Sequence, residues 1–328
     1  MLNVTLTNES KQSREDLIIF PLLTEQTDPL PHQLLSETLA TDSLNVLELE
    51  QAQVSNLIVE NLAPNPVLIL DGEQILGAKQ TRMVNRSVVV PGESKTEIPV
   101  SCVERGRWHF TTNRFSGGRH WSPSSVRRRA RDLESKRVRM GVAAGPETLS
   151  ATQGEIWSEI DKVQDAVGNY SPTGSLDEVS QSIEYNVLDW IEHFPLLDKQ
   201  VGILALLNGA PLALDVIGSR DLYSRLHDRL IRGYILDALS QKYEAHCSGC
   251  AGCATCRQPL GVITRDVSRR RAKAFLAAVS DATHSQVPTP GIGSYSVLNS
   301  TVSGGKLEQH VDGVNRLIHM MAFPRYRS

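Results

Sequence analysis

The sequence contains no apolar run of the roughly 18–20 residues that a membrane-spanning helix needs. Residues 1–7 carry neither a basic leader nor an apolar core, so no secretory signal is expected. No glycine-rich loop follows a strand-like run and opens a helix, which argues against a Rossmann unit and a P-loop. The 9 histidines include no pair spaced four residues apart, and no nucleophile elbow is visible. These absences exclude several enzyme classes and predict a cytoplasmic protein with no membrane partner.

Acidic residues outnumber basic residues only slightly. The chain of 328 residues has a net charge of −3, with 22% charged and 40% hydrophobic residues. This balance argues against a protein whose whole surface binds nucleic acid, although a local basic patch stays open. The 5 cysteines do not resemble the disulfide framework of a secreted protein, because four of them fall within ten residues. A chain of this length can bury a hydrophobic core without disulfides.

Short apolar runs dominate the first half of the sequence. The predicted strands there are residues 17–23, 46–50 and 55–62. Residues 30–39 are predicted as one short helix or an irregular loop. Residues 67–101 add a hairpin, with Asp71 and Gly72 at its turn, and two further strands. Because the connections are too short for crossover helices, we expect antiparallel pairing.

The second half alternates helices with hairpins. Helix starts are predicted from capping residues at Thr152, Ser175 and Ser219. Asn208-Gly209 predicts a hairpin turn of type I′, in which both central residues need a positive φ. A further hairpin is predicted around Asp312-Gly313. The predicted fold class is therefore α+β, with a β-rich antiparallel first half with hairpins, and a helical layer and further hairpins in the second half.

We expect residues 1–328 to form a single domain that contains two lobes. The β-rich lobe covers residues 1–110, and the α+β lobe covers residues 150–328. A basic helical connector at 111–149 joins them, and a cysteine-rich insertion lies at 246–258.

Two dense polar clusters lie at the ends of predicted strands, within residues 73–85 and 102–108. Glu73 and Glu104 are candidate catalytic residues, as general acids or bases or as metal ligands. The candidate ligand-binding residues are Gln74, Lys79, Gln80, Arg82, Asn85, Arg105, Arg107 and Trp108. Guanidinium groups suit a diphosphate, amides suit hydroxyls or an adenine edge, and an indole can stack on a base. The alternative is a polar network that only ties the strand ends together, with Trp108 in a core.

The same residues carry a resemblance to a known family, the ARG and rhodanese-phosphatase-superfamily-associated protein domain, where ARG stands for ADP-ribosylglycohydrolase. The resemblance rests chiefly on Asp71–Gln74, Gly77–Gln80, Asn85 and Cys102–Trp108. Further similarity lies at Gln153–Trp157, at the hairpin of residues 208–209, at Leu222–Leu239 and at Leu317–His319, so it spans most of the chain. It implies an association with NAD and ADP-ribose metabolism. Together with the polar clusters, it predicts that the 73–108 face binds or processes an ADP-ribose-like nucleotide.

Two further residues have both a structural and a chemical interpretation. Cys102 is a nucleophile if an arginine or a helix end lowers its pKa, but a buried and inert thiol is the commoner outcome. His319 lies between Ile318 and Met320 in the last predicted strand and faces the opposite side from them. We expect it to be a packed or hydrogen-bonded residue rather than a catalyst.

A second group of cysteines follows a long predicted helix. The spacing C-x2-C-x2-C-x2-C is formed by Cys247, Cys250, Cys253 and Cys256. Four thiolates suit zinc or an iron–sulfur cluster. The spacing departs from both common patterns, however, since zinc sites use two separated pairs and bacterial ferredoxins end in x3-C-P. The alternative is a flexible insertion that holds no metal.

The sequence also predicts a strongly basic helix over residues 125–139, capped by Ser124 or Ser125. One interpretation is a solvated face, with Asp132 and Glu134 as internal partners. The other is a clamp for a phosphate-bearing ligand or nucleic acid. This second interpretation supports an alternative function, a non-enzymatic scaffold or regulator that uses the helix to bind an acidic partner or RNA.

Overall fold

The computed structural model describes residues 4–6, 11–26, 30–49, 55–107, 115–141, 146–245 and 265–325. Within these ranges the chain forms seven helices and eighteen strands. The helices are α1 (Leu35–Ala40), α2 (Ser124–Met140), α3 (Pro146–Val167), α4 (Leu176–Ser182), α5 (Glu184–Ile191), α6 (Arg220–Ala245) and α7 (Arg265–Ser280). The strands of the first half are β1 (Thr5–Leu6), β2 (Gln12–Arg14), β3 (Leu17–Leu23), β4 (Gln33–Leu34), β5 (Leu44–Glu48), β6 (Asn56–Asn61), β7 (Val67–Ile69), β8 (Glu73–Gly77), β9 (Arg82–Val84), β10 (Val88–Val90), β11 (Ser94–Cys102) and β12 (Phe115–Trp121). Those of the second half are β13 (Gln200–Leu207), β14 (Ala210–Ile217), β15 (Thr283–Val287), β16 (Ser294–Asn299), β17 (Val302–Val311) and β18 (Val314–Pro324).

The largest sheet, which we call the main sheet, joins strands from both halves of the chain. In the described ranges it has nine strands, in the order β1-β3-β13-β14-β18-β17-β16-β15, and β2 also pairs with β3. β3 lies beside β13, with Phe20 opposite Leu204. β14 lies beside β18, with Leu214 opposite Ala322. The pairs within this sheet are antiparallel.

Both faces of the main sheet are covered, which explains the uninterrupted apolar runs in its strands. In β3, Leu17 and Ile19 belong to a core shared with α6, whereas Phe20 and Leu22 belong to a second core on the opposite face. α7 contributes Phe275 to that second core. A strand buried on both faces has a continuous apolar sequence rather than an alternating one.

Two smaller sheets complete the described β structure, in the orders β12-β8-β9-β11-β6-β5 and β10-β7-β4. β7 and β8 lie in different sheets, so the predicted hairpin with its turn at Asp71-Gly72 is wrong. β7 instead pairs with β10, with Leu68 opposite Val89, and runs parallel to β4. β8 pairs with β9 and β12. Gly72, at φ +86°, turns the chain from one sheet into the other.

The other two predicted hairpins are confirmed. β13 and β14 are joined by Asn208 and Gly209, which have φ values of 51° and 69°. β17 and β18 are joined by Asp312 and Gly313, at 52° and 78°. Positive φ at both central residues is the geometry that a two-residue turn between twisted strands requires.

The helix predictions differ in their outcome. Ser175 caps α4 as predicted, because its Oγ accepts a hydrogen bond from the Glu178 N–H at 3.4 Å. α3 begins at Pro146 rather than after Thr152. Proline is favoured at the first position of a helix, so Pro146 accounts for this earlier start. The elements β1, β2, β4, β9, β12, α7, β15 and β16 have no counterpart among the predicted ones.

The α+β fold class is confirmed, whereas the division into two lobes stays a prediction. The pairing of β3 with β13 joins residues 17–23 to the second half, so a lobe drawn at 1–110 shares the main sheet with the rest of the chain. Among the helices in the described ranges, none combines the length and apolar character that a membrane crossing requires.

Candidate functional site

Several of the polar residues singled out in the sequence meet where β8 turns into β9 and where β11 ends. Arg82 of β9 lies opposite Cys102 of β11, and the Val103 N–H donates to the Thr81 carbonyl at 3.0 Å. This pairing brings the β8–β9 turn beside the end of β11. The buried side chains gathered there, which we call the strand-end cluster, are Gln80, Arg82, Cys102, Glu104 and Arg107.

Glu104 is the most heavily bonded member of the strand-end cluster. Its Oε2 accepts hydrogen bonds from the Thr81 N–H and hydroxyl, both at 2.9 Å, and from Arg107 Nη2 at 2.6 Å. Its Oε1 accepts from Arg107 Nε at 2.8 Å and from the Thr173 hydroxyl at 3.0 Å. Burial opposes ionisation, but Arg107 and Thr81 together hold the pKa of Glu104 below its ordinary value. The geometry favours an anchoring role, and the catalytic role stays a prediction.

Both the backbone and the thiol of Cys102 are held by hydrogen bonds. Its backbone N–H donates to Gln153 Oε1 at 2.8 Å, and Gln153 Nε2 donates to its carbonyl at 2.7 Å. The thiol donates to Gln80 Oε1 at 2.9 Å and also receives a contact from Arg82 Nη1. Burial raises the pKa of the thiol to about 12, although the Arg82 charge acts in the opposite direction. The inert interpretation of this cysteine is therefore the one that the structure supports.

We expect Cys102 to react very slowly with a soluble thiol reagent at pH 8, because burial and a raised pKa leave little accessible thiolate. A variant with Cys247, Cys250, Cys253 and Cys256 changed to serine keeps Cys102 as its single thiol. The same variant in concentrated guanidinium is the control and should react completely. Rapid stoichiometric reaction of the folded protein would contradict this expectation.

Glu73, the other candidate catalytic residue, has different partners. Its Oε2 accepts from the Leu70 N–H at 2.8 Å, and its Oε1 accepts from Arg229 Nη1 at 2.7 Å. Arg229 also donates to the Gly118 carbonyl at 2.9 Å. No hydrogen bond among the described residues joins Glu73 to Glu104. The sequence gives no sign that Arg229 is the partner of Glu73, because the two residues are 156 positions apart.

Several buried polar atoms in or beside the strand-end cluster have no hydrogen-bond partner in the part of the chain that the structure describes. They include both amide atoms of Gln74, Gln80 Nε2 and Arg82 Nε, on side chains that are at most 2% exposed. Buried polar atoms in native proteins are nearly always bonded to protein, water or a ligand. These atoms are therefore candidates for contact with a polar ligand.

A pocket of about 330 Å³ lies beside the cluster, and we call it the 170–174 pocket. Arg105 and Gly106 line one side, α3 contributes Asp161, Gln164 and Asp165, and residues 170–174 complete the lining. The Gly106 N–H donates to the Thr173 carbonyl at 2.7 Å, which fixes that side of the pocket. Arg105, with 52% of its side chain exposed, donates to both Asp161 oxygens at 3.2 and 3.1 Å.

The inner side of α2 is buried, so the interpretation of the basic helix as a solvated face applies only to its outer side. Arg127 donates from its two Nη atoms to Asp215 at 2.9 and 2.7 Å, and from Nε to Asp71 at 2.9 Å. Arg131 lies 3.4 Å from Asp71 and pairs with Glu134. Both arginine side chains are only 2% exposed. These five residues form what we call the buried ion network.

The start of α2 also differs from the prediction, since Pro123 rather than Ser124 or Ser125 is the N-cap. Asp237 of α6 replaces the local cap. Its Oδ2 accepts from the Ser124 N–H at 2.7 Å, and its Oδ1 accepts from the Ser125 N–H at 3.2 Å. A carboxylate at this position satisfies free backbone donors and faces the positive end of the helix dipole.

His319 is a hydrogen-bonded core residue, as predicted. Its Nδ1 lies 2.7 Å from Ser87 Oγ, and its Nε2 lies 3.2 Å from Asp215 Oδ1. Burial opposes ionisation of Asp215, but Arg127, together with His319, holds its pKa well below the ordinary value. All three members of this serine–histidine–aspartate chain are at most 1% exposed, so it has no access to a substrate.

The remaining candidates are placed as follows. Asn85 donates to the Ser101 hydroxyl at 2.9 Å, and Lys79 lies half-buried in the β8–β9 turn. Trp108 and the cysteines Cys247, Cys250, Cys253 and Cys256 lie outside the described residues, so zinc or iron–sulfur binding stays a prediction. In the described ranges, no group of three or more histidine, cysteine or acidic side chains is placed to hold a metal ion.

Comparison with known proteins agrees with the resemblance noted in the sequence. Residues 5–323 match the ARG and Rhodanese-Phosphatase-superfamily-associated Protein domain. No curated protein and no solved structure matches the chain. The match covers nearly the whole sequence, including every residue of the strand-end cluster and of the 170–174 pocket. The chain therefore belongs to the ARG and Rhodanese-Phosphatase-superfamily-associated Protein domain family.

Proposed function

We propose that this protein binds an ADP-ribose-like nucleotide in the 170–174 pocket, against the polar face formed by residues 73–108. The observation that carries the proposal is the position of Arg105, which lines the pocket with half of its side chain exposed. The name of the family links it to ADP-ribosylglycohydrolases and supports this class of ligand. The pocket volume is within the range of about 300–1,000 Å³ found for small-molecule sites.

The lining of the pocket suits the separate parts of such a ligand. The Arg105 guanidinium can donate two parallel hydrogen bonds to a diphosphate oxygen pair, as it does to Asp161. The Thr173 hydroxyl oxygen, whose proton is donated to Glu104, can accept a hydrogen bond from a ribose hydroxyl. Tyr170, 65% exposed at the pocket, offers an aromatic ring on which a base can stack.

The strand-end cluster supports the pocket from behind. The Thr173 hydroxyl donates to Glu104, which in turn holds Arg107. This chain of contacts fixes the 170–174 segment relative to Arg105 and Gly106. We propose binding rather than turnover, because both Glu104 oxygens are already occupied by hydrogen bonds from Thr81, Arg107 and Thr173.

Arg105→Ala is expected to weaken ADP-ribose binding by roughly 10- to 150-fold, the loss of a charged hydrogen-bonding group worth about 1.5–3 kcal/mol. Asp161→Asn is expected to strengthen it, since the change frees Arg105 and removes a negative charge beside the diphosphate. Isothermal titration calorimetry with ADP-ribose and NAD measures both effects.

Arg225→Ala is the matched control, because Arg225 is a partly exposed arginine that pairs with Glu37 and does not line the pocket. It should bind ADP-ribose like the unaltered protein. The proposal fails if neither ADP-ribose nor NAD binds, or if Arg105→Ala binds them as tightly as the unaltered protein does.

A further inference from the structure

The outer side of α2 differs from its inner side in how its cations are neutralised. The inner arginines, Arg127 and Arg131, are paired with buried acids. On the outer side, Lys136 and Arg139 are exposed, and neither takes part in an ion pair among the described residues. They line a pocket of about 320 Å³ together with residues of α3 and the end of β18, and we call it the α2 groove.

The charges around the α2 groove do not balance. Its lining contains the cations Arg129, Lys136, Arg139 and Arg325 and the acids Asp132 and Glu155. Glu155 is paired with Arg129, and Asp132 lies 3.6 Å from Arg325. Both acids are thus already used, and two positive charges remain without a counter-charge. Cations held together in this way favour an anionic ligand.

Arg325 is held in place for such a ligand. Its Nη1 donates to Asn299 Oδ1 at 2.8 Å and to the Ser300 carbonyl at 3.2 Å. Its Nη2 has no hydrogen-bond partner in the described part of the chain. Burial, and then the nearby charge of Arg139, lower the pKa of Arg325 below its ordinary value. An anion between these two guanidinium groups relieves their repulsion.

The spacing along α2 suits two neighbouring phosphate groups. With a rise of about 1.5 Å per residue, Lys136 and Arg139 are about 4.5 Å apart along the helix axis. Arg325 faces them from the end of β18. We propose that the α2 groove is a second anion site, which binds the diphosphate or adjacent phosphates of a small phosphorylated molecule through Lys136, Arg139 and Arg325.

Small-ligand binding fits the groove better than binding of a polynucleotide. Only Lys136 and Arg139 lack a counter-charge, which is enough for a diphosphate but too few for a continuous phosphate backbone, and Asp132 and Glu155 can accept hydrogen bonds from sugar hydroxyls. The net charge of the whole chain is also negative, at −3. A protein that depends on phosphate contacts along a strand normally has a large basic surface.

The test is calorimetric titration of the full chain with inorganic pyrophosphate at low ionic strength. Binding is expected, with affinity that falls as sodium chloride is added. Lys136→Ala/Arg139→Ala is expected to weaken it at least tenfold. Lys95→Ala/Arg119→Ala removes the same charges at exposed positions outside the groove and should leave binding unchanged.

Three results would overturn the proposal. They are no pyrophosphate binding to the unaltered protein, equal loss in both double variants, and binding of a single-stranded uridine oligomer that needs Lys136 and Arg139 and is tighter than the binding of pyrophosphate. Arg105→Ala separates this site from the 170–174 pocket, because it should not affect pyrophosphate binding in the α2 groove. The experiments can therefore disprove anion binding in the α2 groove without disproving ADP-ribose binding in the 170–174 pocket, and the converse.

Discussion

Replacing Arg127 with methionine is expected to lower the free energy of unfolding by about 3–5 kcal/mol, the cost of leaving buried charges without their partner. Arg127 neutralises Asp215 and Asp71, both at most 1% exposed. Because methionine keeps an apolar stem of similar length, the loss in free energy of unfolding reflects the removal of the positive charge. A total stability of about 5–15 kcal/mol makes this a severe change. Urea denaturation, followed by circular dichroism, measures it.

The control for Arg127→Met is Arg225→Met, which breaks a partly exposed pair with Glu37 and should cost less than about 1 kcal/mol. The double variant Arg127→Met/Asp215→Leu should be less destabilised than the sum of its single changes, since the two groups interact directly. A loss below about 1 kcal/mol in Arg127→Met would show that the buried ion network contributes little to stability.

Glu104→Gln is expected to lower the free energy of unfolding by roughly 2–3 kcal/mol at pH 7, because Arg107 then loses its buried counter-charge. The pKa of Glu104 is lowered in the folded protein. The stability it contributes is therefore fully present above the ordinary glutamate pKa of about 4.3 and is lost as the pH falls through the folded value. The difference in free energy of unfolding between Glu104→Gln and the unaltered protein should become smaller below about pH 4.

Urea denaturation of both proteins at pH 7 and at pH 3 measures this effect, and comparing the two proteins at each pH removes the contribution of all other carboxylates. Glu37→Gln, which affects a partly exposed pair with Arg225, is the control and should show a small difference at either pH. A difference for Glu104→Gln that stays the same at both pH values would argue that Glu104 acts through packing rather than through its charge.

The parts of the fold that depend on local chemistry were predictable from the sequence. Asn208-Gly209 and Asp312-Gly313 adopt the positive φ values that their turn type requires. Ser175 caps its helix as its spacing to Glu178 predicts. In each of these elements the determining contact lies within a few residues along the chain. Asp71-Gly72 has the same turn chemistry, but β7 finds its partners in β10 and β4, which no local pattern specifies.

The candidate site was predictable only in part, for the same reason. Gln80, Arg82, Cys102, Glu104 and Arg107 meet because β9 pairs with β11, and their polarity at strand ends was a usable signal. The partners of α2 were not visible, because Asp71 and Asp215 lie 56 and 88 residues from Arg127. Charge counts along a helix cannot reveal an acid that is brought to it by another element.

The order of strands in the main sheet has a consequence for the way this chain is made. β14 lies between β13 and β18, so its second edge stays unpaired until residue 324 has left the ribosome. Exposed apolar edges of this kind can pair with other chains while they wait. His319, which contacts Asp215, also arrives only with that last strand. We therefore expect a nascent chain to need protection from aggregation between the synthesis of β14 and that of β18, and its folding to become cooperative only when β18 enters the sheet.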